Sequence, residues 1–388
     1  MRIREYASWD LMLDKAESFF REISQSDRIC LIHHGDADGV TCAIFIYYLI
    51  LDLRNTPPDH VFWVSTKSYD MKEERELIKN LAPDILIVVD LDLVKEDGLF
   101  NEWSLNIPKI FIYDHHSISK DINMIPNNII YLNARMLNQE GIWHPASFFG
   151  YEIARRFFET DDYCWIAGVG LRGDHAHEEY PEFFEKIREK FPILFLEVVE
   201  KEYKSILEGL THLVNAGFFY HPDAREKTSF LALKEAFEKN DPMLFFEGTG
   251  PIFEELRRKS VELKKEIKRL TDETRKDGYR PQDLNLVIHK VKTPHYIVGV
   301  IAGNLCKEEG NLVCAIANEF DENMGIELRM SHGSRINFVE ILQVMREQFN
   351  FLSAGGHPVA AGCLIRPSQY EEFKMKFESA FREHIKGR

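Results

Sequence analysis

The sequence predicts an α/β protein in which a parallel-sheet domain is joined by a helical region to a smaller α/β domain. Short apolar, β-branched runs alternate with segments of helical spacing over residues 1–180. Residues 181–278 are charged and mostly helical in pattern, and the alternation of strands and helices returns in residues 279–388. We therefore expect three parts with boundaries near residues 180 and 278.

The strands of the first domain are predicted from five apolar runs. They are Arg28–His33, His60–Ser65, Asp84–Asp90, Lys109–Tyr113 and Asn128–Leu132. Helical spacing predicts the segments Val40–Leu53, Met71–Asn80, Ala146–Glu159 and Tyr163–Gly170. Strands that are apolar along their whole length are typical of parallel sheets buried on both faces. Ligands bind such sheets at the carboxyl ends of the strands, so the polar residues that follow these strands are candidates for a site.

The rest of the chain gives one long charged helix and a second alternating pattern. Glu254–Lys276 mixes Lys and Arg with Glu, and its basic residues are expected to form a solvated helix face. In the second domain, strands are predicted at Asn285–His289, Leu312–Ala317 and Gly325–Met330. Helices are predicted at Tyr296–Cys306, Phe338–Gln348 and Gln369–His384.

Composition limits the class of protein. The chain carries a net charge of −15, whereas proteins that coat duplex DNA have a basic excess that neutralises phosphates. An acidic protein can still bind nucleic acid in a narrow channel whose local charge differs from the net charge of the chain. The six cysteines form no CxxC pair, and no run of eighteen apolar residues occurs. We therefore expect a cytoplasmic protein that has no membrane partner.

Four clusters of acids and histidines follow predicted strands or helices. They are His34-Gly35-Asp36-Ala37-Asp38-Gly39, Asp90, Asp114-His115-His116 and Gly173-Asp174-His175-Ala176. Each alone is weak evidence, because Asp-x-Asp-Gly also occurs in turns and a strand-end Asp often caps the next segment. Together they supply carboxylates and imidazole without cysteine, a donor set that suits Mn²⁺ or Mg²⁺. The pattern therefore predicts a two-metal site for phosphoryl chemistry.

These motifs resemble those of the DHH phosphoesterases. The correspondence covers the HxDxDG pattern at His34–Gly39, the strand-end Asp90, the Asp-His-His triplet at 114–116 and the later GDxA at Gly173–Ala176. Gly355–Gly362 resembles the GGHxxAAG signature of the DHH-associated C-terminal domain. The spacing of two between His34 and Asp36 is similar to that of archaeal members of the RecJ-like branch. The resemblance covers most of the chain and leaves the helical middle unmatched.

The resemblance implies a role for each motif residue. The implied metal ligands are Asp36, Asp38, Asp90, His115, Asp174 and His34. Asp36 would bind one ion with help from His34, Asp90 would bridge to the second ion, and the remaining three ligands would complete the second site. The implied catalytic residues are His116, which would face the phosphate, and Asp114, which would support the imidazoles.

In the second domain the resemblance implies a substrate-binding segment. Gly355, Gly356 and His357 would contact the nucleotide, since glycines let backbone N–H groups approach a phosphate closely. Arg329 lies where relatives place a substrate-binding arginine, and Arg335 is its rival. A salt-bridged surface arginine is the alternative interpretation of either residue. The active site would then lie in the cleft between the two domains.

The resemblance implies a RecJ-like exonuclease that hydrolyses single-stranded DNA or RNA to nucleoside monophosphates with two Mn²⁺ ions, in a process such as DNA repair. Mg²⁺ is the second choice of metal. One alternative is a phosphodiesterase or phosphatase for short oligonucleotides, phosphoadenosine phosphate or cyclic dinucleotides. Another is a non-catalytic scaffold of a replication complex, which the presence of every motif acid disfavours. The helical middle is expected to bind a helicase or replication-protein partner.

Overall fold

The computed structural model describes residues 8–64, 72–93, 98–116, 118, 125–137, 144–197, 203–220, 227–320, 322–331, 336–356 and 358–386. The chain forms two compact units, Met1–Phe218 with Asp223–Ser260, and Phe219–Pro222 with Val261–Arg388. The sequence predicts three parts, whereas the structure divides into two units. Most of the predicted helical region, residues 181–278, belongs to the first unit. None of the helices in the described part of the chain is long and apolar enough to span a bilayer.

The first unit is built on a five-stranded sheet in which every strand pair is parallel. Its strands are β1 (Ile29–His34), β2 (His60–Val64), β3 (Ile85–Val89), β4 (Lys109–Asp114) and β5 (Ile129–Asn133). Their spatial order is β2-β1-β3-β4-β5, so the predicted parallel α/β fold is confirmed. The winding direction changes between β1 and β3, which is the switch point where sheets of this order bind ligands.

Helices connect and extend this sheet. They are α1 (Trp9–Arg21), α2 (Ala37–Arg54), α3 (Lys72–Leu81), α4 (Leu99–Asn106), α5 (Ala146–Ala154), α6 (Cys164–Gly173), α7 (Pro181–Lys190), α8 (Ile206–Tyr220), α9 (Thr228–Lys239), α10 (Leu244–Glu247) and α11 (Pro251–Asp277). α8 and α11 contribute residues to both units. On α11, Arg269 pairs with Glu266 and Glu273 one turn away, so this part of the charged run is a solvated helix face.

The core of the first unit keeps charge out of the strands. All of β3 is buried, and α2 is buried without interruption from Ala37 to Ile46. A helix that is apolar on all sides packs against several neighbours at once. Since dry strands tolerate few charged groups, functional side chains are confined to the strand ends.

In its described residues, the second unit contains a mixed sheet and three further helices. Its strands are β6 (Leu286–Val291), β7 (Val313–Phe320), β8 (Asn323–Met330), β9 (Ser353–Gly356) and β10 (Ala360–Ile365), in the order β6-β7-β8-β10-β9. Its helices are α12 (Val298–Glu309), α13 (Phe338–Arg346) and α14 (Tyr370–Lys386). The β6–β7 pair is parallel and the other pairs are antiparallel. β9 and β10 were not predicted, because short strands rich in Gly and Ala lack a β-branched run.

β9 and β10 place the glycine-rich signature in an antiparallel pair, in which Gly356 lies opposite Ala361. Gly356 has a φ of +133°, and a Cβ added there would lie 2.5 Å from the Cα of Ala361. No side chain fits in that space at that backbone conformation. This signature glycine is therefore required by the approach of the two strands, whatever else it contacts.

Candidate metal centre

The acid and histidine motifs meet at one edge of the parallel sheet. Asp36 caps α2 and Asp38 lies in its first turn, while Asp90 directly follows β3 and His115 directly follows β4. Asp174 is the C-cap of α6 and reaches the same cluster. The cluster therefore includes the ends of β1 and β3 at the switch point of the sheet.

One group of donor atoms forms around His34. Its Nδ1 is 2.9 Å from Oδ2 of Asp36 and 3.7 Å from Oδ2 of Asp90. Asp36 also accepts a hydrogen bond of 3.1 Å from the backbone N–H of Gly39, and so caps α2. A Cβ at Gly39 would lie 2.5 Å from the His34 carbonyl oxygen and 2.9 Å from Oδ2 of Asp90. The glycine of the HxDxDG pattern thus lets the helix start close to Asp90.

A second group of donor atoms surrounds the buried ring of His115. Its Nε2 is 3.0 Å from Oδ1 of Asp90 and 3.5 Å from Oδ2 of Asp38. Its Nδ1 is 3.8 Å from Oδ2 of Asp174. The imidazole therefore lies between carboxylates contributed by a strand end and by two different helices.

The start of α5 orients the carboxylate of Asp38. Oδ2 of Asp38 accepts a hydrogen bond of 2.8 Å from the N–H of Ala146. Oδ1 accepts hydrogen bonds from the N–H and the hydroxyl of Ser147, at 2.9 and 2.5 Å. N–H groups at the start of a helix carry partial positive charge and stabilise an anion. A buried acid is thereby fixed by backbone that lies 108 residues away in sequence.

Asp114 and His116 form a hydrogen-bonded pair beside the cluster, with 2.7 Å between Nδ1 of His116 and Oδ1 of Asp114. The fully buried amide of Asn133 donates to Oδ2 of Asp114 at 3.3 Å and to the His116 carbonyl at 3.1 Å. Burial acts against the charged imidazole, but Asp114, together with Asp90 and Asp92, outweighs it and raises the pKa of His116 to about 10. The ion pair likewise outweighs burial at Asp114 and lowers its pKa to about 2. Asn133 thus fixes a charged pair in place.

Like charge accumulates at the other carboxylates. Burial, and then the charges of Asp36 and Asp38, raise the pKa of Asp90 well above its usual value. Burial is also the main cause that raises the pKa of Asp38, and it raises the pKa of Asp174 to about 7. At Asp36 the neighbouring His34 outweighs burial and lowers the pKa. A bound cation is the natural counter-charge for buried acids that repel one another.

Three overlapping sets of donor atoms are suited to hold metal ions. They are His34, Asp36 and Asp90; Asp38, His115 and Asp174; and Asp90, His115 and His116, with the donor atoms of each set within 4.8 Å of one another. Asp90 and His115 each belong to two sets. Oδ2 of Asp174 is buried and makes no hydrogen bond to the described residues. This unsatisfied oxygen, in a donor set of carboxylate and imidazole, fits Mn²⁺ or Mg²⁺.

Known proteins resemble both units of the chain. Residues 283–383 match the DHHA1 domain family. RecJ from Thermus thermophilus in complex with Mn²⁺ superposes with a TM-score of 0.67 at 16% identity, over 98% of this chain and 56% of that one. An exonuclease RecJ bound to manganese gives 0.65 at 17% identity, over 95% and 94%. The DHH domain of a member of the s1p family of ribosomal proteins gives 0.69 at 15% identity, over 95% and 90%.

The chain shares the fold of RecJ, and its residues 283–383 match the DHHA1 domain family. The resemblance indicated by the sequence motifs is thereby confirmed. The chain spans just over half of the Thermus RecJ chain, 56% of its length. Among curated protein sequences, none matches this chain.

In the DHHA1 domain, the predicted substrate-binding residues lie on the antiparallel strands. Gly355 and Gly356 end β9, and Arg329 lies near the end of β8. Nη2 of Arg329 is 3.0 Å from Oε2 of Glu327, so the ion pair of the alternative interpretation is present. The substrate role of Arg329 stays a prediction. Outside the described residues lie His357 and Arg335.

Three residues that the sequence analysis did not single out complete this edge of the DHH-type sheet: Ser147, Asn133 and Arg135. Nε of Arg135 donates a hydrogen bond of 3.2 Å to the carbonyl of His115. Asn133 ends β5 and Arg135 follows it, so their place after a predicted strand was a usable signal. Ser147 gave no such signal, because its partner Asp38 lies far away in sequence and only the fold brings them together.

Proposed function

We propose that the chain is a metal-dependent exonuclease that hydrolyses single-stranded DNA or RNA to nucleoside monophosphates. The observation that carries this proposal is the sharing of Asp90 and His115 between neighbouring sets of donor atoms. Ligands shared between neighbouring sets can hold two metal ions close together, and two-metal sites are typical of enzymes that cleave phosphodiester bonds. Relatives of this fold include RecJ in complex with Mn²⁺, which supports Mn²⁺ as the metal, while Mg²⁺ suits the same donors.

Each side chain has a distinct part in this proposal. The proposed ligands are Asp36 with His34 for one ion, Asp38 with His115 and Asp174 for the other, and Asp90 between them. When bound, the ions lower the pKa of an attacking water and stabilise charge on the departing oxygen. The hydrogen bond with Asp114 holds the imidazole of His116 in place and favours its protonated form. His116 then donates a hydrogen bond to a phosphate oxygen of the substrate.

Hydrolysis of labelled single strands by a charge-removing variant and its matched control tests the proposal. Asp174→Asn keeps the side-chain size and removes one proposed ligand charge. Asp52→Asn is the control, because Asp52 is exposed on α2. We expect the unmutated protein to release mononucleotides from a 20-mer with Mn²⁺ and to stop with EDTA. Asp174→Asn should lose at least about tenfold in rate, and Asp52→Asn should not. Absence of Mn²⁺-dependent cleavage of any phosphodiester by the unmutated protein would falsify the proposal.

A phosphodiesterase for short substrates is the second candidate, and the net charge of −15 favours it. A long single strand brings many phosphates toward an acidic protein, whereas a dinucleotide or phosphoadenosine phosphate brings few. Parallel assays with a 20-mer, a 3-mer and phosphoadenosine phosphate decide between the two. Cleavage confined to the short substrates would replace the exonuclease proposal with this one.

A non-catalytic scaffold is the least supported of the three, because the motif acids and histidines are all present and their donor atoms lie close together. A protein that served only as a scaffold would not need to keep repelling acids together in a buried cluster. Binding to a helicase or replication protein through residues 181–278 stays a prediction. Co-purification would test it by comparing the unmutated protein with variants in which the exposed charged residues of that segment are neutralised.

A further inference from the structure

Arg135 brings a guanidinium group to the same edge of the sheet as the acid cluster. It follows β5, and its backbone N–H donates a hydrogen bond of 2.8 Å to Oδ1 of Asn133. Its Nε donates a hydrogen bond of 3.2 Å to the carbonyl of His115. Both contacts tie Arg135 to the backbone and amide that hold His115 and His116. The guanidinium group is therefore hydrogen-bonded to the backbone of the Asp-His-His segment.

The charge around Arg135 is mainly negative. Partial burial lowers the pKa of Arg135, whereas the carboxylates of Asp174, Glu179 and Asp114 act in the opposite direction. An arginine stays charged in such surroundings. The residue also remains exposed to solvent, so part of its surface can be reached from outside. A cation that is within electrostatic range of the acids of the site and open to solvent is suited to meet an incoming anion.

We propose that Arg135 contacts a phosphate oxygen of the substrate next to the bond that is cleaved. This inference rests on the proposed function and names a second group in the first unit, besides His116, that would recognise phosphate. A guanidinium presents its donors in a fork that matches phosphate oxygens, and this supports arginine over lysine at the position. Two phosphates of the substrate fit this description: the monoester at the end of the strand and the next diester along it.

The alternative is that Arg135 only supports the backbone of His115. The test therefore uses Arg135→Gln and Arg135→Lys with Arg155→Gln as the control, since Arg155 is exposed and pairs with Glu152 in the same unit. KM, kcat and the affinity for Mn²⁺ alone are measured for each protein. Substrates are a 5′-phosphorylated and a 5′-hydroxyl 3-mer and a 20-mer.

For Arg135→Gln we expect KM to rise about tenfold to a hundredfold, with kcat and Mn²⁺ affinity changed far less. The salt dependence of strand binding should become less steep by about 0.7 in the log–log slope. Arg135→Lys should restore part of the loss. A loss confined to the 5′-phosphorylated strands identifies the terminal phosphate as the source, and an equal loss with both ends identifies the diester.

Two results would overturn the inference: an unchanged KM in Arg135→Gln, or a loss of Mn²⁺ affinity as large as the loss of substrate binding. If the unmutated protein cleaves nothing, the proposed function fails separately. Equilibrium binding of the same strands in Ca²⁺ then still compares Arg135→Gln with Arg155→Gln. Weaker binding by the first variant alone supports the phosphate contact, and equal binding refutes it.

Discussion

The two sheets of this protein treat charge in opposite ways. At the carboxyl edge of the parallel sheet, Asp36, Asp38 and Asp90 are gathered within a few ångströms of shared imidazoles. In the mixed sheet of the DHHA1 domain, charges come in pairs of opposite sign, such as Arg329 with Glu327 at 3.0 Å. The first arrangement raises the pKa values of Asp38 and Asp90, and the ion pair of the second is neutral within itself.

Strand direction is the origin of this difference. Parallel strands all end at one edge, so acids that follow several strands are forced together there. Antiparallel strands alternate their ends, so polar groups that follow successive strands are divided between the two edges of the sheet. We therefore expect the first unit to depend on a bound cation and the second unit to depend on the close packing of its strands.

The largest effect is expected from Asp90→Asn, which removes the charge shared by two donor sets. Mutation of a residue that supports a metal ligand typically lowers metal affinity or activity roughly 10- to 100-fold. We expect mutation of a shared ligand to lower activity at least about a hundredfold. Mn²⁺ should also raise the unfolding temperature of the unmutated protein and not that of the variant. Hydrolysis assays, Mn²⁺ titration and thermal unfolding measure this, with Asp52→Asn as the control. A variant that kept full activity would break the comparison.

The second prediction concerns the stability of the second unit alone. Gly356→Ala puts a Cβ 2.5 Å from the Cα of Ala361 at a φ of +133°, so the free energy of unfolding should fall by about 1–3 kcal/mol or more. Gly303 on α12 has nothing within 4 Å of an added Cβ, and Gly303→Ala should instead stabilise by up to about 1 kcal/mol. Denaturant unfolding measures both. Mn²⁺ affinity should be unchanged in both variants, and a loss in Gly356→Ala would contradict the assignment of the metal centre to the first unit.

The same contrast explains which features of the fold and the site could be predicted from the sequence. The strand-end acids could be found from sequence because each follows an apolar run with the pattern of a buried strand, as Asp90 follows Ile85–Val89. Asp38 was found as a candidate, but its anchoring by the start of α5 was not, because the two segments share no local pattern. The pairing of β9 with β10 was also missed, since it depends on the absence of side chains rather than on any apolar period.

An intermediate effect is expected from Asn133→Ala, which removes the amide that holds Asp114 and the His116 carbonyl. We expect kcat to fall about 10- to 100-fold, as is typical when a supporting partner is lost, while the protein stays folded. Asn106→Ala is the control, because Asn106 is exposed at the end of α4. The pH profile of kcat should also change, because His116 loses part of the network that keeps it protonated. An unchanged kcat and profile would show that the Asp114–His116 pair needs no support.

The smallest effect near neutral pH concerns His144, which lies in the first unit and is 8% exposed. It stacks on Trp9 at 4.0 Å and its Nδ1 is 2.8 Å from the hydroxyl of Tyr180. Burial lowers the pKa of His144 to about 4, below the value of 6.5 in an unfolded chain. Between these values the unfolded state binds more protons than the folded state. The stability contributed by neutral His144 is therefore complete above pH 6.5 and is lost as the pH falls toward 4.

His144→Gln removes this titration, so its free energy of unfolding should fall less steeply with acid than that of the unmutated protein. The difference in slope should be at most about 1.4 kcal/mol per pH unit, between pH 6.5 and 4. His60→Gln, at the exposed start of β2, is the control for removal of a histidine. Denaturant unfolding in EDTA at several pH values keeps metal binding out of the comparison. Parallel slopes for His144→Gln and the unmutated protein would mean that acid sensitivity arises from other groups, and the strand-end cluster is then the first place to look.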